Sequence, residues 1–273
     1  MKKLFLLILL LSSITVAQIE VEYFPNGLTI HPFAANTLEP KLGFLFKINS
    51  NELQLDIGNS MDLVRIQKGN QTFSAGADLF TWTLLRKENN FHFPVDAVDY
   101  LFGLNFGYKR TLHNFTVGAR IRLSHISAHF VDGHYNGALN QWKDDHSPRV
   151  YSREFIEGLA YVKYKRLRVY GGITYLYHVD PAEIKKDNYQ LGFDYYLNKY
   201  FGNNIKPFIG YDLKLVHLSK YTGNNSFTAG VKFGKVEGKG LSLAFNYYSG
   251  YSIHGEYYDT VEKYSSLSIN LDL

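Results

Sequence analysis

The chain has 273 residues and a formal charge of +4, falling to +2 without Lys2 and Lys3, so charge supplies no footprint for a nucleic-acid partner. It contains no cysteine, which excludes a disulfide framework and a lipoprotein-type anchor. Twenty-two Tyr, 20 Phe and 23 Gly against seven Pro suit strands with aromatic girdles better than helices.

The first residues combine the basic pair Lys2 and Lys3, an apolar run from Leu4 to Leu11, and small residues around Thr15, Val16 and Ala17. That order predicts a secretory signal peptide over residues 1–17, cleaved after Ala17. The apolar run is too short to span a bilayer, and no later stretch reaches the ~20 apolar residues of a spanning helix. Any crossing by the mature chain would therefore use strands. Residues 18–40 do not alternate cleanly, and Pro25, Pro32 and Pro40 interrupt them. They predict an N-terminal segment on the periplasmic side or folded into a barrel mouth, outside the main sheet. Residues 41–273 carry no low-complexity linker and read as one domain.

From Lys41 the chain alternates. Leu42, Phe44, Phe46 and Ile48 oppose Lys41, Gly43, Lys47 and Asn49, and beyond Ser50-Asn51 the pattern returns through Leu53, Leu55 and Ile57. A third strand is predicted over 72–84 and a fourth over 98–110. The fifth is the most two-faced: Phe115, Val117, Ala119, Ile121 and Leu123 on one side, Thr116, Gly118, Arg120, Arg122 and Ser124 on the other. A sixth follows over 152–164, a seventh carries Val169, Ile173 and Tyr175, and an eighth carries Tyr189 to Leu197. Four more are predicted over 207–219, 226–236, 241–251 and 261–273.

Short connections at 68–70, 112–114, 165–166 and 237–240 alternate with longer ones at 86–96, 130–150, 179–187 and 254–260. The Ser50-Asn51 turn and the 200–205 connection fit this alternation less well. Long loops on one rim and short turns on the other predict an all-β, transmembrane antiparallel β-barrel of the bacterial outer membrane, with about 12 strands (roughly 10–14). The competing class is a soluble β-sandwich, whose outward rows should be polar. The lumen row would hold Lys47, Asp78, Lys109, Arg120, Arg122, Asp194, Asp212, Lys214 and Lys232. Charges of both signs there favour a lumen that cross-links itself over one that selects an ion.

Several segments resemble a bacterial outer-membrane family known as domain of unknown function 1207. They are Pro32 to Pro40 (PFAANTLEP), His125 to Asp132 (HISAHFVD), Tyr151 to Phe155 (YSREF), Arg168 to Gly172 (RVYGG) and Tyr248 to Tyr257 (YSGYSIHGEY). The chain departs from the family pattern at Asn36, Thr37 and Leu38, and has Ala128 and Val131 where serine and glycine are expected. The resemblance implies an outer-membrane protein and supplies no activity.

The chemistry concentrates where the fifth strand turns polar. His125, Ser127 and His129 continue the outward row of Leu123, so an imidazole and a hydroxyl two residues apart would face lipid. The pair resembles the outward-facing dyad of outer-membrane phospholipase A and of the lipid A deacylases, which implies a serine hydrolase acting on acyl esters of membrane lipid. That chemistry needs a nucleophile, a base and a group that orients the base. Symmetric closure of the 130–150 loop would set residue 154 opposite 125 and 152 opposite 127, making Glu154 the orienting candidate. Asp132 with Asp144 or Asp145 forms a second expectation, a calcium site built from hard oxygen ligands. Polar residues are also ordinary at a membrane rim, and His217-Leu218-Ser219 repeats the His-x-Ser pattern on the ninth strand. The non-enzymatic alternative is a structural, narrow pore or solute-binding barrel. No phosphate-cradling glycine loop, zinc ligand spacing or cofactor fingerprint is present.

Overall fold

The computed structural model describes residues 19–197 and 204–273; the predicted signal peptide lies outside the described residues. The strands in chain order are β1 (Ile19–Tyr23), β2 (Leu42–Lys47), β3 (Glu52–Lys68), β4 (Gln71–Arg86), β5 (Val95–Thr111) and β6 (Phe115–Phe130). A two-residue hairpin, β7 (Tyr135–Asn136) and β8 (Gln141–Trp142), decorates the next loop. Then come β9 (Tyr151–Tyr164), β10 (Leu167–Asp180), β11 (Asp187–Tyr196) and β12 (Ile205–His217). The set ends with β13 (Tyr221–Gly234), β14 (Gly240–Tyr251) and β15 (Val261–Asp272). Among the described residues no helix is long and apolar enough to cross a membrane.

Twelve of these strands close on themselves. Each pairs antiparallel with its neighbour from β2 to β15, skipping the hairpin, and β15 returns to pair with β2. Closure leaves no unpaired edge, the condition a sheet must meet in lipid. The burial pattern decides between barrel and sandwich. Ile121, Leu123, Leu243, Phe245, Leu267 and Ile269 are all exposed on the outside, while Arg120, Arg122, Ser242, Ser266 and Ser268 are buried within. A soluble sandwich would show the reverse.

The N-terminal segment differs from the expectation in one respect. Ile19–Tyr23 is a strand of the main sheet, paired with Val64 to Lys68 at the end of β3 that the six-residue β2 does not reach. Proline begins only at Pro25, so these five residues are free to complete a ladder that β2 leaves open.

Residues between β1 and β2 then fill the lumen. Thr29, Phe33, Ala35, Asn36 and Glu39 are buried. Thr29 donates from N and Oγ1 to Asp62 at 2.8 and 2.7 Å, and Ala34 N donates to Asp194 at 2.9 Å. The Phe33 ring lies 4.1 Å from that of Tyr170, with the Arg168 guanidinium 4.3 Å above it. Glu39 accepts from Arg120 at 2.7 and 2.9 Å and from Arg122 at 2.9 Å. Arg122 Nε also lies 2.9 Å from Asp78 Oδ2, though misaligned for a hydrogen bond. The mixed charges of the inner row thus bind a plug.

Candidate active site on the outer wall

Three adjacent strands, β6, β9 and β10, build one polar patch on the outside of the barrel. The β6–β9 register sets His125 opposite Glu154 and Ser127 opposite Ser152. Period-two alternation turns all four outward, since Ser124, Ile126 and Ala128 on one strand and Phe155 and Glu157 on the other are buried inside.

His125 Nδ1 lies 2.7 Å from Glu154 Oε1, and Ser152 Oγ donates to the same oxygen at 3.3 Å. A carboxylate at Nδ1 selects the tautomer protonated there and leaves Nε2 as the basic nitrogen. The Phe102 ring, 4.9 Å away, packs against the imidazole. Among the described residues no hydrogen bond joins Ser127 to His125. Such contacts tighten when substrate binds. His129 continues the row beyond Ser127, its ring 6.2 Å from Tyr100.

A further residue joins the patch that alternation alone assigns to the lumen. His178 has the parity of the buried Leu176, but the β10–β9 register shifts between Leu176 and His178, leaving Tyr177 unpaired. The bulge turns His178 outward, where its Nδ1 lies 2.5 Å from Glu154 Oε2. Both carboxylate oxygens of Glu154 are therefore engaged by imidazoles. A bulge has no composition signal, so the sequence could not place His178 in the patch.

The patch begins where the lipid-facing row ends, just beyond the exposed Leu123 and Ile156, beside Tyr100, Phe102 and Tyr175. The second His-x-Ser is built differently. His217 closes β12 with its Nδ1 2.9 Å from Asp187, but Leu218 turns inward and Ser219 lies in the turn beyond the strand. Strand nine of the sequence reading thus ends two residues early, and that serine does not continue the outward row.

Asp132, Asp144 and Asp145 occupy two separate one-turn 3₁₀ helices of the long loop, and Asp144 lies 3.6 Å from Arg86. Among the described residues no three His, Asp or Glu side chains converge on a metal-sized site. The loop between β14 and β15 instead secures the upper ends of the strands. Asp99 accepts from His254 Nδ1 at 2.9 Å and Gly255 N at 2.7 Å, and Glu256 accepts from Phe130 N at 3.2 Å. Gly255 presses on Tyr151 and Ala128 so closely that a Cβ would fall 2.2 Å from the Tyr151 ring. Three of the segments noted in the sequence, around residues 125–132, 151–155 and 248–257, therefore meet at the long-loop end of the barrel, and Leu38 of the plug packs against them from the lumen.

Residues 106–272 match the family described as "Protein of unknown function (DUF1207)". The chain belongs to this family. No curated protein matches it in sequence. In structure it is similar to outer membrane phospholipase A from Escherichia coli, at 16% identity and a TM-score of 0.55, covering 90% of this chain and 96% of that one. It is also similar to the Salmonella typhi outer membrane phospholipase dimer with bound calcium, at 14% identity and a TM-score of 0.55, covering 90% and 94%. At these identities the likeness is one of fold: this family member is a closed twelve-stranded antiparallel barrel of the outer-membrane kind.

Proposed function

We propose that this barrel resides in the bacterial outer membrane and hydrolyses acyl esters of membrane lipid on its outer wall, with Ser127 as nucleophile, His125 as base and Glu154 orienting the imidazole. The contact that carries the reading is His125 Nδ1 to Glu154 at 2.7 Å, one step along the same outward row from a serine, at the upper edge of the lipid-facing band. In the first half-reaction Ser127 Oγ attacks the ester carbonyl and His125 Nε2 takes its proton. The imidazolium, stabilised by Glu154, returns that proton to the departing alcohol, the lysolipid. Water, deprotonated by the same nitrogen, then cleaves the acyl-serine and releases the fatty acid. The fold is also the one on which two phospholipases A are built, which supports the reading as analogy only.

The test is fatty-acid release from phospholipid and from lipid A by the refolded barrel. Calcium enters as a variable because the Salmonella enzyme carries it. Release that Ser127→Ala and His125→Ala each abolish, with both variants still migrating as folded barrels, supports the assignment. A folded wild type that releases nothing from either lipid sinks it.

The non-enzymatic alternative divides. A conducting pore is disfavoured by the plug, whose Glu39 locks to Arg120 and Arg122 across the lumen. A solute-binding barrel has one observation in its favour, a cavity above that plug.

A further inference from the structure

Between the top of the plug and the β14–β15 loop the lumen opens into a cavity of about 100 Å³. Thr37 and Leu38 lie below it, and Ile253 and Tyr258 roof it. Its wall is mixed. Ile126, Phe155, Leu176, Ile184 and Leu218, all buried, line it with hydrocarbon, and Lys214, Asp212, Glu157 and Arg153 supply charge. Arg153 stands among the hydrocarbon, paired with Ile126 across β6–β9 and two residues from Phe155 on the inner face of β9.

Three of those four charges are already engaged. Glu157 lies 3.2 Å from Arg120 and 3.6 Å from Arg122. Asp212 accepts from Tyr170 at 2.7 Å and Gln190 at 2.5 Å, with Lys214 at 3.9 Å. Lys214 donates to Asn36 at 2.5 Å. Arg153 is the exception. It stands over the Tyr151 ring at 5.2 Å, its Nε is buried and makes no hydrogen bond, and among the described residues no carboxylate comes within ion-pair distance.

A cation held beside an apolar cavity without a counter-charge is costly, and each such group in a folded protein calls for an explanation. The planar guanidinium fork matches a carboxylate, which it grips with two parallel hydrogen bonds. A single guanidinium among apolar side chains favours a monoanion over a dianion such as phosphate. The apolar wall then needs hydrocarbon to cover it. An apolar cavity of ~150 Å³ holds a benzene-sized molecule, so about 100 Å³ limits the body to a few carbons.

We infer that the cavity binds a compact organic monocarboxylate, its carboxylate on Arg153 and its hydrocarbon body against Ile126, Phe155, Leu176 and Leu218. This assignment is independent of hydrolysis on the outer wall, because Arg153 and Glu154 point to opposite faces of β9.

Calorimetric titration of the full-length barrel, refolded in zwitterionic micelles, tests it with sodium butanoate, hexanoate and benzoate. Butanol, hexanol and sodium sulfate at matched ionic strength serve as comparisons. Saturable binding of at least one carboxylate at one per barrel is expected, with its alcohol and sulfate at least tenfold weaker. Arg153→Gln should weaken the carboxylate at least tenfold. Leu176→Trp, which fills the cavity from its apolar wall and leaves Arg153 in place, should abolish binding and provides the decisive variant if Arg153→Gln does not fold. No saturable binding of any of the three carboxylates overturns the inference, as does equal binding of the alcohol. Binding unchanged in either folded variant overturns it as well.

Discussion

His178 reaches Glu154 because one residue, Tyr177, is left unpaired between β10 and β9. In an unbroken ladder Tyr177 would stand opposite Glu154 and the histidine would share the lumen with Leu176, leaving Glu154 to His125 alone. The bulge thus sits in the strand wall beside the patch it completes, a common place for bulges to re-aim a side chain.

Under the hydrolase reading, the two histidines should not be equivalent. His125 shares the outward face of its strand with Ser127, whereas His178 touches only the far oxygen of the shared carboxylate. Glu154→Gln is expected to lower the rate of fatty-acid release about 10²–10⁴-fold, by disturbing the tautomer and the imidazolium together. His178→Ala, which removes the second imidazole, should lower it only about tenfold. Rates measured on both variants in one lipid discriminate the roles. Equal, undiminished rates in Glu154→Gln would remove Glu154 from the site.

The plug provides a stability test that does not depend on activity. Glu39 is buried and faces two buried arginines. Glu39→Ala leaves both cations without their shared carboxylate and is expected to cost about 3–5 kcal/mol, the range for breaking a buried pair from one side. Urea unfolding in lipid vesicles measures the loss. Arg120→Met, Arg122→Met, Glu157→Gln and Asp78→Asn added to Glu39→Ala should recover much of it, since only removal of all five charged groups leaves no charge stranded.

The same segment sets the expectation for conductance. Wild type should be silent in planar bilayers. Removing residues 25–40 takes out Thr29, Phe33, Asn36 and Glu39, all buried in the lumen, and should produce discrete conductance steps. Steps of equal size from both proteins would show that the plug does not seal the barrel.

How much of this was legible beforehand follows from period two. Phe115 to Ser124 alternates without interruption, so its two faces, its inward arginines and the outward position of His125 and Ser127 could be read directly. The pairing of residue 125 with 154 needed only a loop that closes symmetrically. Parity fails wherever one residue is unpaired, as at Tyr177, and again at Leu63 and Asp96, where β3 and β5 shift register. The plug was legible only as a break in alternation. Its partners, Asp62, Arg120, Arg168 and Asp194, are scattered over four strands, and no local pattern joins them to Thr29, Phe33 or Glu39.

The long-loop end should also respond to acid, through His134. Its ring stacks on Phe130 at 3.9 Å and 8°, its Nε2 lies 3.1 Å from the His146 carbonyl, and its Nδ1 lies 3.4 Å from the Tyr257 hydroxyl. Burial lowers its pKa below the ordinary 6.5, opposed by the His146 carbonyl and the nearby Asp96 and Asp144, and reinforced by Arg86. A histidine lowered on folding is favoured neutral, so its contribution is full above the unfolded pKa near 6.5 and declines as pH falls through that value. Acidification from pH 7.5 towards 5 should therefore loosen the packing of the 131–150 loop on the β14–β15 loop. Trp142 stacks 6.3 Å from His134 and is one of two tryptophans, the other being the buried Trp82. In Trp82→Phe, the fluorescence of Trp142 should shift with a midpoint below 6.5, and His134→Phe should abolish that transition while keeping the stack. A transition that survives in His134→Phe would assign the acid response to another group.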